Sequence, residues 1–90
     1  MNFRQIECFR AVMHTGSMTL AAAQLHTSQP NVSRAIALLQ RETQLQLFAR
    51  VGLRVVPTPE AYALLKEVDR TYVGLQTVRE AADRIRTLGV

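Results

Sequence analysis

Residues 59–88 contain no proline after Pro59, and within them Leu64, Val68, Thr71, Leu75, Val78, Ala82 and Ile85 recur at alternating steps of four and three. That is a heptad seam with one polar member, which predicts a long helix carrying an apolar stripe for a partner helix. At about 1.5 Å per residue the segment extends for roughly 45 Å. Thr58 is placed to cap it, and Pro59 fits its first position, where a missing N–H costs nothing. Gly74 marks a weak point or a place of close approach. One third of a 90-residue chain is thus committed to a rod, and residues 1–58 must build everything else.

Those residues read as three helices and a hairpin. Ile6, Phe9, Val12 and Met13 share a helical face over residues 3–14, with Asn2 and Gln5 as a capping-box variant. Gly16 is a left-handed stop and Ser17 the cap of a second, short helix from Met18 to about Leu25. Its run Ala21, Ala22, Ala23 lets another helix approach closely. The next turn falls on His26, Thr27 and Ser28, and Ser28 or Thr27 caps a third helix with Pro30 in its first turn. Val32, Ala35, Ile36 and Leu39 lie on one face of that helix. Pro30, Arg34, Ala37 and Arg41 lie opposite, with Ser33 on the flank, and the helix should fade around Glu42–Gln44. From 45 to 57 the apolar residues alternate, predicting strands at about 46–48 and 53–57 joined by a turn carrying Arg50 and Arg54.

Charge narrows the function. The chain carries a net charge of +4, from 11 Lys and Arg against 7 Asp and Glu, with a pI near 10.2. Residues 59–90 hold five bases and five acids, which cancel, so all the excess lies in residues 1–58. A pI above about 9 is the footprint of a nucleic-acid binder. One cysteine excludes an internal disulfide and a Cys-rich zinc site. Cys8 is expected as a buried free thiol, and His14 and His26 lack partners for a metal, so neither metal nor cofactor is expected. Ser33 has no His or Asp partner at readable spacing, so no catalytic residue is assigned and an enzyme is not expected. With no apolar run of 18 residues and no signal segment, the expected partners exclude a membrane and the default compartment is cytoplasmic.

Three helices, the last two separated by a tight turn, followed by a basic hairpin make a winged helix-turn-helix. A major groove about 12 Å wide admits one helix, whose first-turn side chains reach base edges. The third helix opens with Ser28, Gln29, Pro30, Asn31, Val32, Ser33 and Arg34. Gln and Arg can pair bidentately with adenine and guanine edges, and Pro30 can meet a thymine methyl. The expected DNA-binding set is Thr27, Ser28, Gln29, Pro30, Asn31, Ser33 and Arg34, with Arg50 and Arg54 reaching a narrow minor groove or phosphates. The rival reading is a small basic helical module that meets an acidic protein.

Ser17-Met18-Thr19-Leu20-Ala21-Ala22, Leu25, Ser28-Gln29-Pro30-Asn31-Val32-Ser33, Leu39 and Leu47-Phe48-Ala49-Arg50 together resemble the N-terminal signature of LysR-type transcriptional regulators. The likeness covers essentially the whole chain. It implies a DNA-binding domain over 1–58 and a linker helix over 59–90 that forms a homodimer, or a tetramer in the full-length protein. It also implies an interrupted-dyad DNA site and a small-molecule effector bound only by a further C-terminal domain, outside this chain. Three departures stand out. Gln40 replaces the usual Glu, Gln44 the usual Gly, and Pro57-Thr58-Pro59-Glu60-Ala61 the commoner Leu-Thr-x-Ala-Gly. A left-handed Gln44 would cost about 1 kcal/mol relative to Gly.

Overall fold

A computed structural model describes residues 1–90, which form α1 (Phe3–Thr15), α2 (Met18–Gln24), α3 (Gln29–Thr43), β1 (Phe48–Val51), β2 (Arg54–Pro57) and α4 (Pro59–Leu88). The architecture is a winged helix-turn-helix with a long C-terminal helix. Local chemistry sets the helix ends. Asn2 Oδ1 accepts from the Gln5 N–H at 2.9 Å, and Gln5 Oε1 accepts from the Asn2 N–H at 3.2 Å, a reciprocal capping box. Gly16 closes α1 at φ 75°, its N–H donating to the Val12 carbonyl, and Ser17 Oγ accepts from the Leu20 N–H to start α2.

Alternation of small and large side chains then brings the three helices together. Cys8, Ala11 and Val12 of α1 meet Ala21 and Ala22 of α2 and Val32 and Ile36 of α3. Burial raises the Cys8 thiol above its ordinary pKa, which keeps it in its unreactive protonated form. A second cluster joins Phe9, Leu39 and Leu47 to Ala61 and Val68 of α4. Phe48 touches both clusters and meets Phe9 edge-on, so the wing is anchored at its base.

The strands lie differently from the sequence expectation. β1 runs over 48–51 rather than 46–48, and Arg50 and Arg54 lie within the strands rather than in the turn. The turn is the two-residue loop Gly52-Leu53 between paired Val51 and Arg54. Gly52 alone of the two has positive φ, at 63°, the II′ pattern that matches hairpin twist. Leu47 belongs to the core, and its N–H and that of Phe48 donate to Gln40 Oε1 at 2.8 and 3.1 Å. An amide carbonyl accepts both bonds, as a carboxylate would, so Gln40 is accommodated. Gln40→Leu leaves both N–H groups without that acceptor and is expected to lower stability by roughly 1–3 kcal/mol, read by urea denaturation. Gln44 is left-handed at φ 58°, the conformation that the usual Gly would take without strain.

Thr58 ties the wing to α4. Its Oγ1 accepts from the Ala61 N–H and donates to the Gln46 carbonyl at 2.6 Å. The first turns of α4 then cross the domain, which corrects the seam reading at its start. Val68 is 5 % exposed in the second cluster and Leu64 half-buried beside it, so the domain's own core covers them. Beyond Tyr72, α4 is exposed except at Ala81 and gives the molecule its 56 Å length.

Candidate nucleic-acid interface

The turn between α2 and α3 is closed by backbone bonds from the Leu25, His26 and Thr27 N–H groups to carbonyls of α2. His26 takes the left-handed conformation at φ 55°, a feature that nothing in its local pattern announces. The chain thereby turns sharply and exposes the first turn of α3. Ser28, Gln29, Pro30, Asn31 and Arg34 are exposed, while Thr27 and Ser33 are half-buried. Ser28 is the cap, its Oγ accepting from the Asn31 N–H at 3.3 Å.

Within that turn the side chains hold one another. Asn31 Nδ2 donates to Thr27 Oγ1 at 3.1 Å, and Arg34 donates to Asn31 Oδ1 at 3.0 Å. Thr27 and Asn31 therefore orient Arg34, a role legible in the three-residue spacing of Asn31 and Arg34. The Gln29 amide approaches the Met18 sulfur at 3.9 Å, so α2 steers Gln29. The apolar stripe of Val32, Ile36 and Leu39 lies opposite, buried, and presents this polar turn outward.

Ion pairing separates the basic side chains of residues 1–58 into two groups. Arg4 pairs with Glu7 and Arg10 with Asp69, within the body of the domain. Arg34 and Arg41 of α3 and Arg50 and Arg54 of the wing pair with no carboxylate, and all four are exposed. Four uncompensated guanidinium groups on two adjacent elements produce a positive surface suited to polyanion phosphates. Arg41 lies outside the expected set, although its seven-residue spacing from Arg34 places it on the same face.

The wing arginines do not point the same way. Arg50 pairs across the hairpin with Val55, and Arg54 with Val51. Adjacent rungs project to opposite faces of a β-ribbon. Arg50 therefore shares the face of Phe48, Val55 and Pro57, which line a cleft with Gln29 and Met18. Arg54 lies on the reverse face. Leu53 is 97 % exposed at the tip. No group of three or more His, Cys, Asp or Glu side chains could hold a metal ion, and no helix is long and apolar enough to cross a membrane.

Residues 3–62 match the family of bacterial regulatory helix-turn-helix proteins of the LysR family. The chain is 51 % identical over 82 residues to the octopine catabolism/uptake operon regulatory protein OccR of Rhizobium meliloti, covering 91 % of this chain and 28 % of that protein. It is 46 % identical over 86 residues to the transcriptional activator protein LysR of Escherichia coli K12, covering 96 % of this chain and 28 % of that one. The chain thus spans under a third of these relatives' length. Among solved structures, the BenM DNA-binding domain in complex with benA site 1 DNA superposes with a TM-score of 0.85 at 30 % identity, covering 98 % of this chain and 99 % of that one. The complex of the CbnR DNA-binding domain with DNA gives 0.77 at 31 % identity, with full coverage of both chains.

Proposed function

The chain belongs to the LysR family of bacterial helix-turn-helix regulators, and from that premise we propose that it grips an interrupted dyad in double-stranded DNA as a homodimer. Residues 1–58 form the DNA-reading unit and 59–90 the linker that joins two copies. Gln29, Pro30, Ser33 and Arg34 enter the major groove and read base edges. Thr27, Ser28 and Asn31 shape that turn, while Arg50 and Arg54 hold phosphates or a narrow minor groove. Leu75, Val78, Ala82 and Ile85, with Thr71 among them, form the contact between copies, the segment of the seam that α4 leaves exposed. The protein acts in the cytoplasm as a regulator without catalytic activity. A small-molecule effector acts through a C-terminal domain, as membership of this family suggests.

The observation that carries this reading is the set of four unpaired arginines on the recognition helix and wing. Such a surface releases counterions on meeting a duplex. If a dimer neutralises roughly 6 phosphates, log affinity falls with log salt at a slope of about −5. Titration of a labelled duplex at several salt concentrations measures it. A flat response means the basic face does not meet phosphate, and preference for an acidic protein over DNA would replace this reading.

A further inference from the structure

Where α4 leaves the domain, one polar cluster adjoins the second apolar core, against which its Tyr72 packs. Arg10 Nε donates to Asp69 Oδ1 at 2.9 Å across 59 residues of sequence. The same guanidinium lies 3.9 Å from the centre of the Tyr72 ring. His14 Nε2 is 3.3 Å from the same Asp69 oxygen, and the Phe3 ring lies 6.0 Å from that of Tyr72, centre to centre. Residues 73–88 make no comparable attachment, so this cluster is the last tie before α4 runs free.

Its composition suits orientation more than stability. Arg10 and Asp69 are 33 % and 40 % exposed, and wet ion pairs contribute little to folding. The apolar contacts of Ala61, Leu64 and Val68 are non-directional and tolerate tilting. A guanidinium hydrogen bond and a ring face under the same guanidinium are directional and set the angle of α4 against α1. The rest follows from leverage. The molecule measures 25 and 20 Å along its shorter axes. A tilt of about 10° at one edge moves the far side by roughly 3–4 Å, close to the 3.4 Å rise of one base step.

We propose that the Arg10–Asp69–Tyr72 clamp is a positioning device that sets which half-site spacing a dimer accepts. The proposal rests on the homodimeric reading above, in which the exposed part of α4 joins the copies and its angle to α3 fixes the distance between recognition helices. None of the three side chains needs to touch DNA.

The test uses dyad duplexes with identical half-sites whose spacing differs by single base pairs, together with a single half-site duplex. Wild-type protein is expected to favour one spacing by about tenfold over its neighbours. Asp69→Ala removes the acceptor shared by Arg10 and His14, and Tyr72→Leu removes the ring under the guanidinium, each at a half-buried position. In each, that preference is expected to drop below about threefold while affinity for the single half-site stays within about twofold of wild type. A variant that retains the wild-type spacing profile, or loses affinity equally at every spacing and for the half-site, overturns the proposal. Sedimentation equilibrium separates the two premises. A monomeric wild type overturns the dimer and the clamp together, whereas a dimeric one with an unaltered profile in either variant overturns the clamp alone.

Discussion

Leu75→Asp is expected to turn dimers into monomers in sedimentation equilibrium while leaving the helix content unchanged. Leu75, Val78 and Ile85 are 52, 66 and 49 % exposed, and nothing in the domain covers them. Burying one such side chain in a partner contributes about 1.5–3 kcal/mol, and two-fold symmetry counts the substitution twice. A carboxylate buried at each copy adds its desolvation cost. A loss of at least about 4 kcal/mol weakens association by roughly a thousandfold. Affinity for a dyad then falls toward that for one half-site, a loss of about 10²- to 10⁴-fold as the second half-site is no longer bound intramolecularly. Val73→Asp is the control, because Val73 is 66 % exposed but lies two residues from Leu75 on the opposite side of α4. A Leu75→Asp protein that remains dimeric, or a Val73→Asp protein that dissociates as readily, refutes the assignment of this face.

The contrast between Val68 and Leu75 shows how far a sequence reaches. Both fall on one heptad seam, because apolar periodicity marks the side of a helix that must be covered. It does not say by what. α1 covers the seam at Val68, and only the fold reveals where that cover ends. Caps are legible for the opposite reason. Asn2 with Gln5, Gly16 and Ser17 act within a single turn, so their partners lie within a few residues.

The wing falls between these cases. Alternation begins at Leu45 and Leu47, which suggests a strand from 46, but Leu47 is fixed in the core with its N–H on the Gln40 side chain and its carbonyl accepting from the Thr58 N–H, just beyond β2. The ladder starts two residues later than expected, at Phe48. Placing Arg50 and Arg54 in the turn conceals that they stand on adjacent rungs and project to opposite sides. The Arg10–Asp69 bond, between residues 59 apart, leaves no local mark at all.

That geometry sharpens the expected difference between recognition helix and wing. Arg34 is held by Asn31, itself held by Thr27, so its guanidinium is already oriented at the exposed first turn of α3. A pre-oriented fork loses little freedom on pairing with a guanine edge, and a bidentate contact discriminates by about 1–3 kcal/mol. Arg34→Ala is therefore expected to weaken the specific site by that amount and to relax preference at one or two positions in each half-site. Arg50 has no side-chain partner holding it and lies on a two-stranded ribbon beside the cleft that leads to Gln29. A mobile cation on such an arm meets phosphates at any sequence. Arg50→Ala is expected to lower affinity for specific and scrambled duplexes alike and to reduce the salt slope by about one for each phosphate left unneutralised. Competition between the two duplexes at two salt concentrations measures both effects. If Arg34→Ala weakens both duplexes equally while Arg50→Ala abolishes discrimination, then the wing reads sequence and the helix holds the backbone.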